Sequence, residues 1–281
     1  MLLFSGRALG VEVELQVLEG DWGQLSSAQR AAMAELSRLE DIANPWDSGS
    51  ELSRWNDGPP AGGRVSPEMA ELVAAAQRLC RESGGAFDPT VGALLAARGH
   101  YGEPIPLAAD PEELVGCDRV RLVETPDGPR LERLHPGVRL DLSGIAKGWA
   151  ADRVKAQLVA AGVTNACLDL GSSTIVAWGP GPDGRGWCYR LPAGAAEESW
   201  WLRDEAAATS SATPASLDPA DLTGMHLVDP RSGADVPQVR RSVVTRGRSA
   251  LDCDAWATAI AAAGATPTGG AGVTALVVGD E

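Results

Sequence analysis

The chain has 281 residues, 44% of them apolar and 22% charged, which is ordinary globular usage and argues against a long disordered tail. Its formal net charge of −14 repels phosphate backbones, so nucleic acid is not an expected partner, and any anionic ligand needs cations supplied locally. No stretch reaches the roughly 18 apolar residues of a membrane span, and the five cysteines, odd in number and without a C-x-x-C pair, read as buried reduced thiols.

Met1 to Phe4 carry no basic region and no long apolar run, so a secretory signal is not expected in the sequence as it stands. The compartment stays open between the cytoplasm and export after removal of a leader. Val11, Val13, Leu15 and Val17 alternate with polar residues and predict a half-buried strand. Residues 26–42 carry Met33, Leu36 and Leu39 near helical spacing. Residues 43–65 are rich in Pro, Gly, Asp and Ser and read as loop. Ser66-Pro67 opens a second helix with an apolar stripe of Met69, Leu72, Val73, Ala76 and Leu79, ended by Gly84-Gly85.

Short strands are expected near 119–123, 130–134 and 138–142, then a helix over 145–161 ending at Gly162. Strands near 166–170, 174–178 and 187–191 follow, with Pro182-Asp183-Gly184 as a hairpin turn. A strand near 225–229 stops at Asp229-Pro230-Arg231-Ser232-Gly233. A strand near 241–246 leads into a helix over about 250–263, and a last strand lies near 273–278. Strands and helices mix without a βαβ rhythm or an internal repeat, so the fold class is α+β.

Several segments carry chemistry-bearing residues. In Asp141-Leu142-Ser143-Gly144-Ile145-Ala146-Lys147 a strand delivers Asp141 to a turn before a helix start, where unpaired N–H groups attract anions. Lys147 sits in the first turn, where cations are disfavoured. That points either to a nearby anion or to a plain solvated lysine. Ser249 and Asp252 fit a capping box, and Asp254 and Thr258 then share one helix face. A carboxylate and a hydroxyl there are hard oxygen donors suited to Mg²⁺, or simply an acidic helix start. His226 precedes the Asp229 turn, as a cleft residue or a structural histidine. His100, in a Gly-flanked loop, and His135, in a His-Pro-Gly turn, are weaker candidates. Gly84 to Gly92 is a glycine-bracketed loop carrying Ala86, Phe87 and Asp88. Trp46 lies in a polar loop, where an aromatic ring stacks on a planar ligand or covers core.

These segments, in this order, resemble the ApbE family of FAD:protein FMN transferases. Arg7-Ala8-Leu9-Gly10 is similar to its opening strand, and Trp46 to Arg54 to its aromatic-x-x-x-Ser-Glu-Leu-Ser-Arg loop. Gly85 to Gly92 resembles its Gly-Ala-Phe-Asp-Pro-Thr-Val-Gly loop. Asp141 to Asp152, His226 to Gly233 and Asp254 to Thr258 each match a further motif. The resemblance runs from about residue 7 to 278 and implies a single domain with FAD in a cleft between sheet and helix layers. It implies Mg²⁺ on Asp254, Thr258 and the Gly144 carbonyl, and FAD contacts from Asp141 and Lys147. Ala86, Phe87 and Asp88 would line the FAD pocket, Trp46 would stack on a ring, and Leu9 and Val228 would touch the cofactor. His226 matches the general base.

The implied reaction cleaves FAD, releases AMP and esterifies FMN to a Ser or Thr of an acceptor flavoprotein carrying a short target motif. The residues leave three other readings open: an Mg²⁺-dependent FAD pyrophosphatase giving FMN and AMP, an FAD-binding protein without turnover, and an interaction domain without cofactor. The chain departs from the family pattern at Ser172-Ser173, where Gly and Asp are usual, and at Ser210-Ser211-Ala212-Thr213, which lacks the usual Gly and Tyr.

Overall fold

A computed structural model of the protein describes residues 1–18, 22–107, 109–211, 227–236, 241–264, 270 and 272–279. Its main sheet has seven strands: β1 (Leu2–Ala8), β2 (Val11–Val17), β6 (Ala166–Leu170), β7 (Thr174–Trp178), β10 (Glu205–Ser211), β11 (Arg241–Gly247) and β12 (Thr274–Gly279). They run in the order β1-β2-β6-β7-β10-β11-β12, every neighbour pair antiparallel. A second sheet of β3 (Gly62–Arg64), β5 (Gly128–Arg133) and β4 (Val120–Thr125) and a two-stranded sheet of β8 (Trp187–Arg190) and β9 (Ser199–Leu202) complete the strands.

Among the described residues six helices accompany them: α1 (Trp22–Ala43), α2 (Glu51–Asn56), α3 (Pro67–Glu82), α4 (Gly92–Ala97), α5 (Ser143–Ala160) and α6 (Ala250–Ala263). Segregated helices on an antiparallel sheet make this an α+β fold. Among the described residues no helix is long and apolar enough to cross a membrane.

Both faces of the central strands are covered, and the period of two shows it. Val176 and Trp178 of β7 join the core under the helices, whereas Ile175 and Ala177 join a second core with Trp187, Tyr189 and Leu202 beneath β8–β9. In β10, Ala206 and Ala208 face the helices and Ala207 the other side. Helix α6 is apolar nearly all round, as a helix sandwiched between neighbours must be. It packs against α5, β10 and β11.

Several expectations hold. Ser66 caps α3 by accepting from the Met69 N–H at 3.1 Å, and its five stripe residues are fully buried. Helix α6 spans the expected residues, with Ser249 accepting from the Asp252 N–H.

Others are corrected. Residues 43–65 are not all loop: Ser50 caps α2 through the Ser53 N–H, and Gly62–Arg64 pair with β5 as β3. Residues 138–142 form no strand; Arg139 makes one isolated bridge to Val91, because Asp141 turns to accept at the start of α5. Pro182-Asp183-Gly184 is a turn but no hairpin, since β7 pairs with β6 and β10 while β8 pairs with β9. Near 225–229 the described part holds only a bridge from Val228 to Asp235; residues 225 and 226 lie outside the described residues. Of the cysteines, Cys80, Cys167 and Cys253 are buried, whereas Cys117 is half-buried and Cys188 exposed on an outward position of β8.

Candidate active site

Helices α5 and α6 touch most closely where α5 carries glycine. A Cβ on Gly148 would stand 2.2 Å from the Ala250 carbonyl oxygen, so only glycine lets the two backbones meet. The Gly148 N–H donates to Asp254 Oδ2 at 2.9 Å. A regular helix directs that same N–H at the Gly144 carbonyl, and the Gly144 carbonyl accepts from Thr258 Oγ1 at 3.3 Å. One turn of α5 thus brings three hard oxygens together: the Asp254 carboxylate, the Thr258 hydroxyl and the Gly144 carbonyl. A Cβ on Gly144 would press on Thr258 at 2.9 Å and on the Phe87 ring at 3.3 Å.

Asp254 is buried, and burial pushes its pKa up, against the lowering effect of the Lys147 ammonium and of the Gly148 N–H. A carboxylate held charged in such a place calls for a cation, and an all-oxygen donor set suits Mg²⁺. The residues fit that ion.

The α6 start is fixed from α5. Asp152 Oδ1 accepts from the Ala250 N–H at 3.0 Å, and its Oδ2 accepts from Ser249 Oγ at 2.9 Å and from the Leu251 N–H at 3.1 Å. The expected capping box is only half made, because Asp252 pairs with Arg78 instead of turning back. Asp152 instead caps the next two N–H groups of α6, and burial pushes its pKa up.

These residues open on a cleft of about 420 Å³. Ten of the expected positions line it: Trp46, Ala86, Phe87, Asp88, Asp141, Gly144, Lys147, Val228, Asp254 and Thr258. Leu9 lines an adjoining hollow with Gly10, Glu40 and Pro45, joined to the cleft through Trp46, Ser143 and Lys147. Leu9 is not in a strand but in the tight β1–β2 turn, at φ 54°, with its N–H donating to Glu40 Oε2 at 2.9 Å. His226 lies outside the described residues; Leu227 and Val228, which follow it, line the cleft.

Positions on the cleft differ in what their side chains have left to offer. Asp88 Oδ1 accepts from the Thr90 N–H at 2.8 Å and from Thr90 Oγ1 at 2.6 Å, and burial raises its pKa. Asp141 Oδ1 accepts from the Ser143 N–H at 2.8 Å, and its Oδ2 accepts from the Tyr101 hydroxyl. Both carboxylates therefore hold the wall of the cleft in shape. Phe87 is buried against Gly144 and backs the site. Trp46 is 55% exposed, leaving ring surface open for a planar ligand. Its ring meets His100 edge-on, with centroids 5.6 Å apart, and Tyr101 at 5.9 Å.

Sequence reasoning missed Tyr101 and Ser143, gave His100 little weight, and did not place Thr209 beside Ser210 and Ser211 on the cleft. Ser143, two residues after Asp141, was legible as an Asx-type turn. Tyr101 reaches Asp141 across 40 positions and left no local signal. The divergent Ser172-Ser173 pair does not line the cleft but lies in the β6–β7 turn, with Ser172 at φ 57° and the Ser173 carbonyl accepting from the N–H of cleft-lining Thr209 at 2.8 Å.

The model of the ApbE family matches residues 9–269. The FAD:protein FMN transferase of Haemophilus influenzae is 25% identical over 92% of this chain and 80% of its own length. That of Rhodobacter capsulatus is 31% identical over 86% of this chain, which spans 47% of that relative. The solved flavinyl transferase ApbE of Pseudomonas stutzeri superposes with a TM-score of 0.75 at 27% identity, covering 93% of this chain and 85% of that one. The match covers both helices that build the cleft and the loops that close it, and this chain belongs to the ApbE family.

Proposed function

We propose that the protein is an FAD:protein FMN transferase that cleaves the pyrophosphate of FAD, releases AMP and esterifies FMN to a Ser or Thr hydroxyl of an acceptor flavoprotein. The observation that carries this reading is the convergence of Asp254, Thr258 and the Gly144 carbonyl, with Lys147 beside them, on one cleft mouthed by Trp46. The activity named for the relatives supports it. The match to one domain supports treating residues 7–278 as a single catalytic unit.

Phosphoryl transfer leaves little covalent work to a protein; positioning and charge neutralisation carry most of the rate. Mg²⁺ held by Asp254, Thr258 and the Gly144 carbonyl supplies Lewis-acid polarisation of the pyrophosphate. The Lys147 ammonium and the N–H groups opening α5 add positive potential against the two phosphates. Trp46 stacks on a ring of FAD, and Leu9 closes the adjoining hollow around it. Ala86, Phe87 and Asp88 form the floor, and Asp141 and Val228 the walls. His226 accepts the proton of the acceptor hydroxyl as its oxygen attacks, since an imidazole with a pKa near 6.5 is matched to neutral pH.

The test is AMP release in the presence of FAD, Mg²⁺ and acceptor. His226→Ala should lower the rate about 10²–10⁴-fold while leaving FAD affinity within a few-fold. An unchanged rate refutes the base role. AMP release with all FMN left free, with or without acceptor, identifies water as the nucleophile and the protein as a hydrolase.

A further inference from the structure

Behind the glycine-bracketed loop three donors from three elements meet, of which only Asp88 also lines the cleft. Cys80 Sγ from the last turn of α3, a carboxylate oxygen of Asp88 and Cys117 Sγ from the short 3-10 turn Cys117–Arg119 lie within 4.8 Å of one another. Among the described residues no other three Cys, His, Asp or Glu donors gather this closely. Cys80 Sγ stands 3.4 Å from Asp88 Oδ2. A tetrahedral zinc ion, with Zn–S about 2.3 Å and Zn–O about 2.0–2.2 Å, holds neighbouring S and O ligands about 3.5 Å apart and two sulfurs about 3.8 Å apart.

The frame is fixed by contacts that do not depend on an ion. Thr90 occupies Asp88 Oδ1 and leaves Oδ2 turned toward Cys80. The Gly116 N–H donates to Thr90 Oγ1 at 2.7 Å. The Gln77 side-chain amide donates to the Cys117 carbonyl at 2.9 Å and to the Val120 carbonyl at 2.8 Å. The end of α3 and the loop after it are thus held against a 3-10 turn some thirty residues further on, with the three donors gathered at one point, which a packing role for two thiols does not need.

We propose that Cys80, Asp88 and Cys117 form a second metal site, for one thiophilic divalent cation of the Zn²⁺ type, with the fourth position left to water. Two thiolates and one carboxylate select zinc over magnesium, so this site and the oxygen set at Asp254 divide the two ions by ligand softness. Binding releases the two thiol protons. The ion clips α3 and the 3-10 turn to Asp88, and so stiffens from behind the loop that presents Ala86 and Phe87 to the cleft.

Cobalt is the probe, because a thiolate–cobalt bond absorbs strongly in the near ultraviolet and an oxygen-only site does not. The full chain, reduced and stripped with chelator, is titrated with Co²⁺ in excess Mg²⁺. One Co²⁺ per chain should bind with a thiolate charge-transfer band, and Zn²⁺ should displace it. Zn²⁺ at 100 times its Kd should raise Tm by about 5 °C. Cys117→Ser and Cys80→Ala should each abolish the band and the Tm rise, and Cys188→Ser should keep both. Absence of a thiolate band, or a band undiminished in Cys117→Ser, overturns the proposal.

Discussion

Asp254 is 5% exposed, and burial pushes its carboxyl toward the neutral form, yet its place beside Thr258 and the Gly144 carbonyl makes it useful only when charged. Stability and activity therefore separate at this residue. Asp254→Asn keeps the acceptor for the Gly148 N–H and removes the buried charge. It should lower FMN transfer by at least about 10²-fold, while the Tm of the metal-free protein stays level or rises. Transfer assays and a melting curve without Mg²⁺ check both halves, and a marked drop in Tm would contradict the reading of Asp254 as a strained ligand. Asp254 and Thr258 were legible as candidates from their four-residue spacing on one helix face, and Lys147 from its place near a helix start, where a cation is out of character. What the sequence could not show is how Asp88 and Asp141 spend their oxygens. Those bonds go to Thr90, Ser143 and Tyr101, and the last depends on a contact that only the folded chain makes.

Two glycines one helical turn apart do different work in α5. At Gly148 an added Cβ meets the backbone of Ala250, which cannot move without shifting α6. Gly148→Ala should cost about 3 kcal/mol or more of stability. At Gly144 the Cβ meets the Thr258 side chain and the Phe87 ring, which can rotate aside. Gly144→Ala should cost about 1–3 kcal/mol, yet lose most transfer activity through displacement of Thr258. Denaturant melts paired with transfer assays separate the two.

Asp152 couples the same helices by capping α6. Burial raises its folded pKa above the ordinary 3.8, so the native state keeps a proton that the unfolded chain has released. Stability from this group is full below that value and is lost as pH rises through the folded pKa. Asp169, raised by burial in the same way, contributes with the same sign. Asp152→Asn resembles the protonated form and lacks that slope. Its destabilisation relative to the parent should be largest near pH 4 and shrink toward pH 7; a penalty that grows with pH would refute the sign.

At the same scale, α3 was legible because cap, apolar stripe and terminal glycines agreed, α5 from its apolar spacing and Gly162, and α6 from its Ser249 cap. β10 was not. Glu205-Ala-Ala-Ala-Thr-Ser-Ser211 is rich in alanine, a helix former, and becomes a strand because helices cover one face and the β8–β9 layer the other, leaving room only for small side chains. The tryptophans of β9 and the six residues of α4 were too short a pattern to read, and β1 alternates too weakly on its own.

Across the whole molecule, a net charge of −14 is set against ligands that are themselves anionic. Many arginines are already spent on the chain's own acids: Arg38, Arg78, Arg98, Arg121, Arg139, Arg153, Arg185, Arg231 and Arg246 each pair with a carboxylate. Such surface pairs add little stability, but they leave Lys147 and the α5 start, with the cation proposed above, as the positive charge of the cleft. Buried Arg133 is held another way. Its guanidinium lies 3.9 Å over the Trp55 ring and donates to the carbonyls of Asn56 and Val138, and desolvation lowers its pKa to about 10. FAD recognition in so acidic a protein should accordingly depend on the divalent ion as much as on side chains.

The most direct measurement is the intact mass of an acceptor flavoprotein carrying a Ser/Thr target motif, incubated with this protein, FAD and Mg²⁺, beside a reaction containing EDTA. One esterified FMN should be gained per acceptor, with equimolar AMP, and the gain should vanish with EDTA and with Asp254→Asn. An acceptor of unchanged mass while AMP still accumulates, or a mass gain indifferent to EDTA, would contradict Mg²⁺-dependent transfer.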